Sequence, residues 1–187
     1  LTLSSHEPYE IPAAPAFPEN KDVAQFLSSI HYTDSVLYDF VQRSKKESWW
    51  KNTVIVFVAD HGHRLPYSDK KINDFKIPLL LVGGALNTTG KTIPALGSQT
   101  DLPLFLLHQL NKTDSSFTWS KDFLRNPSNE WAYFSFNNGF GYVRPDAYFI
   151  YDNVGRRLME QQGRVNDSLI RIGEAIQQMS FADYLKR

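Results

Sequence analysis

The chain has 187 residues, 42% of them hydrophobic, and its 20 basic and 20 acidic side chains cancel to zero net charge. That length and composition suit one substantial folded core, and the charge balance gives no footprint for a general nucleic-acid or membrane-surface binder. The absence of cysteine excludes disulfides and thiolate metal sites, and no run approaches the roughly 18 apolar residues of a membrane span.

In chain order, the opening Leu1-Thr2-Leu3-Ser4 reads as the tail of a strand, with no initiator Met and no signal-peptide pattern. We therefore expect part of a longer polypeptide. Prolines at 8, 12, 15 and 18 break the next stretch into a surface loop. Asn20 is expected to cap a helix over residues 21–46, on which Val23, Phe26, Leu27, Ile30, Leu37, Phe40 and Val41 form an apolar stripe. Tyr32 and Asp34 fall on that helix, as packing and a surface hydrogen bond. Trp49 and Trp50 are expected to cover the base of the next strand.

Residues 54–59 are six consecutive apolar side chains, rich in β-branched types, lying between Asn52 and Gly62. Such a run suits a strand covered on both faces, as in a parallel sheet. Ligands of open α/β sheets bind beyond the carboxyl ends of the strands, and there stand Asp60 and His61. A carboxylate oxygen with an imidazole nitrogen suits zinc or manganese, but two ligands are too few for tight binding, so other parts of the polypeptide must supply the rest. Neighbours on a strand point to opposite faces; Asp60 and His61 converge only if the chain bends between them, which Gly62 makes inexpensive. His63 and Arg64 follow, and the forked donors of arginine fit phosphate or sulfate oxygens. A polar stretch over 63–76 leads to a second apolar strand at 77–82, closed by the strand-end turn Gly83-Gly84.

Thr100 is expected to cap a helix over 101–110 with its leucines largely buried, which makes Gln99, Thr100 and Asp101 structural. Residues 112–129 read as a polar loop or linker. Residues 131–136, 147–151 and 156–160 read as three strands of a small antiparallel sheet. Between the first two, residues 139–142 form an aromatic turn that packs on its own sheet or lines a substrate entrance. Residues 166–185 carry an amphipathic pattern that predicts a terminal helix docked on a sheet. No internal repeat, glycine-rich phosphate loop or low-complexity tract occurs.

Four pieces stand in a telling order: Ser4-Ser5-His6-Glu7-Pro8-Tyr9, then Tyr32-Thr33-Asp34-Ser35, then Ala59-Asp60-His61-Gly62-His63, then Ile77-Pro78-Leu79-Leu80-Leu81 followed by Ser98-Gln99-Thr100-Asp101-Leu102. Together they resemble the C-terminal half of the sulfatase, or alkaline-phosphatase-like, superfamily, nearest the lipoteichoic acid synthase-like branch of phosphoglycerol and phosphoethanolamine transferases. The resemblance covers nearly all of the first 110 residues.

It implies an α/β fold with a partly parallel sheet flanked by helices. Residues 1–111 would be the C-terminal half of the catalytic domain, and 112–187 a small antiparallel β subdomain with a terminal helix. It also implies that Asp60 and His61 are two of the four protein ligands of a catalytic divalent metal, manganese or zinc, with magnesium or calcium as alternatives. His6 would face the substrate phosphate or the metal edge; His63 and Arg64 are secondary substrate-binding candidates on their position after the ligand pair and the donor geometry of arginine. The family's nucleophile, a threonine in the transferases and a modified cysteine or serine in the sulfatases, belongs to an N-terminal half that no stretch here resembles. The 187 residues alone are therefore expected to show no turnover. The substrate implied is a phospholipid or glycan phosphoester, at the extracytoplasmic face of a bacterial membrane, with the anchoring segments outside this chain. Lys70 and Lys71 stand where sulfatases often carry a substrate lysine, yet the surrounding sulfatase pattern is missing, which favours the transferase branch. The alternatives are an arylsulfatase or phosphoester hydrolase of the same superfamily, and a degenerate member that binds glycan or lipid without turnover. Intact Asp60 and His61 argue against the degenerate member.

Overall fold

A computed structural model describes residues 3–19, 21–123 and 130–186. The expected strand tail at Leu1 and Thr2, the Asn20 cap, and the 124–129 part of the polar linker lie outside the described residues. The chain forms two compact units, residues 1–91 and 92–187.

The first unit is built on helix α1 (Asp22–Ser44) and a two-stranded sheet, β1 (Ile55–Val58) and β2 (Leu79–Val82). Asp22 lies in the first turn of α1 and Arg43 in the last, each charge opposing the helix dipole at its end. The apolar stripe is only partly covered. Phe26 is buried, but Ile30 and Phe40 are exposed. The helix buries small polar residues as well: the Ser28 hydroxyl accepts from Phe17 N–H at 3.0 Å and donates to Phe17 O at 3.3 Å, tying the proline-rich loop to the helix. Phe40 meets Phe57 of β1 edge to face at 6.4 Å. Trp50 receives the end of β2, since its carbonyl accepts from Gly84 N–H at 3.1 Å.

Strand β1 pairs with β2 antiparallel, Ile55 opposite Val82 and Val58 opposite Leu79. Among the described residues every strand pairing is antiparallel, in place of the partly parallel sheet expected from the apolar runs. The reason is the connection. Parallel neighbours need a crossover of a dozen or more residues, usually a helix packed on the sheet, whereas β1 and β2 are joined by irregular chain with one short 3₁₀ turn at Lys71–Phe75. Nor is β1 buried on both faces: Val58 is 41% and Leu80 of β2 55% exposed. Apolar runs reported strand type correctly and burial incorrectly, because coverage depends on what packs above.

The second unit holds helix α2 (Leu102–Gln109), a four-stranded meander of β3 (Ala132–Phe136), β4 (Gly139–Val143), β5 (Ala147–Asp152) and β6 (Arg157–Gly163), and helix α3 (Asp167–Tyr184). A short 3₁₀ turn, Gln99–Asp101, opens α2 through a capping box between Ser98 and Asp101; the expected cap at Thr100 is displaced by that turn. The Asp101 carboxylate, fully buried, accepts from Ser98 N–H at 2.7 Å and Lys121 N–H at 3.0 Å, and pairs with the Lys121 ammonium. That ammonium also lies 4.5 Å from the Trp131 ring centroid, a favourable cation–π position. Asp101 is thus structural, joining the start of α2 to the segment after it.

Strand β4 stands where a turn was expected. Alternating glycine suggests a turn, but Gly141 lies opposite Phe134 and Gly139 opposite Phe136, and those rings occupy the space a Cβ would need, 2.0 Å and 2.5 Å away. Cross-strand aromatics shelter the glycines. Phe140, Tyr142, Phe149 and Leu169 form the core of this unit, under α3. That helix is capped by the Asn166 side chain, which accepts from Leu169 N–H at 2.9 Å.

Candidate functional site

Asp60, His61, Gly62, His63 and Arg64 follow β1 directly, so the end of an ordered strand fixes where the loop begins. The Asp60 and His61 side chains are 76% and 72% exposed and lie side by side, Asp60 Oδ2 at 3.9 Å from His61 Nε2. Asp60 Oδ1 accepts from His61 N–H at 3.0 Å, which holds the carboxylate over its neighbour. His61 Nδ1 is 2.8 Å from the Gly62 carbonyl. A carbonyl only accepts, so Nδ1 carries the hydrogen and Nε2 of the neutral ring offers its lone pair. A second-site hydrogen bond from the other ring nitrogen is the usual support of a metal-binding histidine. The 3.9 Å separation lies within the span of two ligands at about 2.0–2.2 Å from one ion. The donor set therefore fits a divalent metal in chemistry and spacing. Among the described residues no group of three or more His, Cys, Asp or Glu side chains is placed to hold a metal.

Gly62 does not serve by a left-handed bend, as its backbone is not among the positive-φ glycines. Its missing Cβ matters instead: one built there would sit 2.1 Å from the Asp74 carbonyl oxygen. The loop thus packs against the Lys71–Phe75 turn, beside a cleft of about 510 Å³ lined by His63, Leu65, Pro66, Ser68, Asp69 and Asn73 among others. Lys71 places its ammonium 5.9 Å from the Phe75 ring.

His6 lies on the proline-rich loop. Its Nδ1 donates to the Glu7 carbonyl at 2.9 Å, which leaves Nε2 as the available nitrogen, as in His61. The structure brings this loop to the Asp60 loop through side chains that sequence reasoning passed over. Tyr9, buried at 7% exposure, has its hydroxyl 3.2 Å from His63 Nε2 and 3.2 Å from Glu7 Oε1. Glu7 in turn meets Arg64 Nη2 at 3.4 Å. Burial first, and then the hydrogen bond to Glu7, raise the Tyr9 hydroxyl above its usual pKa, so it is a neutral donor. Both nitrogens of His63 are engaged, since Nδ1 accepts from Leu65 N–H at 3.0 Å. Arg64 keeps most of its surface in solvent. Tyr9 belongs to the motif that carries His6, but nothing local in sequence says which distant ring it meets.

The described residues contain no helix long and apolar enough to cross a membrane. The family model named Sulfatase matches residues 1–112, the stretch that contains all five site residues named above. The lipoteichoic acid synthase-like protein YvgJ of Bacillus subtilis (strain 168) is 25% identical, the match covering 66% of this chain and 24% of that protein. Two solved structures share the fold. An alkaline phosphatase superfamily protein from Vibrio parahaemolyticus superposes with a TM-score of 0.76 at 21% identity, over 98% of this chain and 47% of that one. The lipoteichoic acid synthase LtaP from Listeria monocytogenes gives 0.66 at 18% identity, over 97% of this chain and 52% of that one. The chain thus spans about a quarter of the curated relative and about half of each structural neighbour. A family match across more than half of the chain places this protein in the sulfatase family.

Proposed function

We propose that this chain is the metal-binding C-terminal portion of a phosphoglycerol or related head-group transferase, acting on a lipid or glycan phosphoester at the extracytoplasmic face of a bacterial membrane. One observation carries the reading: Asp60 and His61 stand exposed and adjacent, with His61 Nε2 free and 3.9 Å from the carboxylate. The similarity to a lipoteichoic acid synthase-like protein favours a transferase over an arylsulfatase or a simple phosphoester hydrolase. It also supports the membrane location.

In this reading Asp60 and His61 would hold the divalent ion, manganese or zinc, together with ligands from sequence outside this chain. When bound, such an ion would supply Lewis-acid polarisation of the phosphoryl group and a lowered pKa for the attacking hydroxyl. His6, through Nε2, faces the substrate phosphate, and Arg64 offers forked N–H donors to its oxygens. The nucleophile, a threonine, comes from the same outside sequence.

The test is made in the enzyme that carries this chain. Asp60→Ala or His61→Ala should weaken manganese binding, read by calorimetry, on the order of 100-fold or more, because losing even an outer-sphere partner costs 10–100-fold. Phosphoglycerol transfer should fall to background. Near-normal metal affinity in both variants would sink the ligand assignment. Release of free glycerol phosphate or sulfate with no transfer product would move the reading to the hydrolase or sulfatase branch.

A further inference from the structure

We infer that Tyr9 and His63 are positioning residues: they lock the loop carrying His6 and Glu7 to the loop carrying Asp60, His61 and Arg64 by a hydrogen-bond chain that runs in one direction. This deepens the phosphoester reading above and rests on it for its functional consequence, though not for its geometry.

The direction follows from the partners. Leu65 N–H can only donate, and it lies 3.0 Å from His63 Nδ1, so Nδ1 is the accepting nitrogen. The hydrogen of the neutral ring is then on Nε2, which donates to the Tyr9 oxygen at 3.2 Å. The Tyr9 hydroxyl, having accepted, gives its own hydrogen to Glu7 Oε1 at 3.2 Å. Glu7 also accepts from Arg64 Nη2. Each link leaves the next group one available role, and Glu7 closes the path back to the residue after His63.

Packing holds the chain in that arrangement. The His63 ring stacks on Phe26 of α1 at 4.2 Å and 17° between planes, and Tyr9 meets Phe26 edge to face at 5.6 Å. Tyr9, Phe26 and Leu65 are all buried in one cluster. Tyr9 has a left-handed backbone, φ 64°, a conformation that a bulky residue keeps only where its surroundings fix it. The groups suited to substrate and metal, in contrast, lie in solvent. A buried aromatic base thus carries an exposed set of functional side chains. With both nitrogens engaged inside the protein, His63 serves by orienting Tyr9 and not by touching substrate. An exposed Glu7–Arg64 pair alone contributes little. The links through the buried Tyr9 side chain give it a fixed place.

Two experiments decide. Long-range ¹H–¹⁵N correlation of the histidine rings should show His63 as the Nε2–H form with an accepting Nδ1. The opposite tautomer overturns the chain, whatever the enzyme's activity. In the enzyme carrying this chain, with phosphatidylglycerol as donor, Tyr9→Phe keeps the ring on Phe26 and removes the hydroxyl. KM should rise about tenfold, the effect of losing one hydrogen bond in a charged network, with kcat within about twofold and manganese affinity unchanged. His63→Gln, whose amide N–H reaches near the Nε2 position, should stay closer to the parent than His63→Asn, whose shorter amide reaches only as far as Nδ1. An unchanged KM in Tyr9→Phe, or the reverse order of the two His63 variants, overturns the positioning role. Should Asp60→Ala and His61→Ala leave metal affinity intact, the phosphoester reading fails while the ring correlations still decide the chain.

Discussion

His61 shows how much of a side chain's role is settled by the atom next to it. Its Nδ1 donates to the neighbouring carbonyl, and this local bond, not the general chemistry of imidazole, makes Nε2 the free nitrogen beside Asp60. The opposite case is Tyr133, whose hydroxyl is buried with no hydrogen-bond partner among the described residues. An unsatisfied buried hydroxyl costs about 1–3 kcal/mol, so Tyr133→Phe should leave the protein at least as stable at pH 7, by about 1 kcal/mol on the same scale. Burial also pushes the Tyr133 hydroxyl up to about 12, against about 10 in an unfolded chain. A raised folded pKa means stability that is present below pH 10 and is lost as pH climbs from about 10 towards 12. Tyr133→Phe escapes that loss, and its advantage over the parent should widen between pH 9 and pH 11 in urea unfolding. A variant less stable than the parent at pH 7 would mean that the hydroxyl has a partner.

Among the elements, α3 and β4 depend on each other through a missing side chain. A Cβ on Gly173 would lie 2.4 Å from Phe140 Cε2 and 3.1 Å from Phe149 Cζ, and both rings are fully buried. A helix interior ordinarily gains up to about 1 kcal/mol when glycine becomes alanine. Here the overpacking term is larger, so Gly173→Ala should destabilise by about 1–3 kcal/mol. Thermal unfolding would show it, and a raised melting temperature would mean that α3 does not approach the sheet so closely. The same closeness explains the strand hidden in residues 139–142. Glycines that look like a turn in isolation are strand residues once Phe134 and Phe136 lie across them. Helices α1 and α3 were legible because their apolar spacing is a property of the segment itself, whereas the cap ahead of α2 falls on Ser98, through its capping box with Asp101, whose carboxylate is also bound by Lys121, 20 residues away.

In the whole molecule, two compact units meet in sequence between Lys91 and Thr92, within a stretch from 85 to 98 that has neither helix nor strand and in which Lys91 is exposed. Proteases cut first where exposed chain makes few hydrogen bonds. Brief trypsin treatment should therefore cleave early at Lys91, with α1 and the four-stranded sheet cut later. Early cleavage within α1 or β6, with Lys91 intact, would contradict this division.

By itself the sequence determined the chemical character of this protein: a carboxylate and an imidazole at the end of an apolar strand, a histidine on a proline-broken loop, two long amphipathic helices and an antiparallel C-terminal sheet. These are properties of residue type and short-range period, and they survive any tertiary arrangement. Only the tertiary structure decided that β1 and β2 run antiparallel, that residues 139–142 are strand, and that His63 faces Tyr9 across 54 residues of sequence. Each of those depends on which distant group occupies the space beside a residue. Packing selects that neighbour, and no local pattern encodes it.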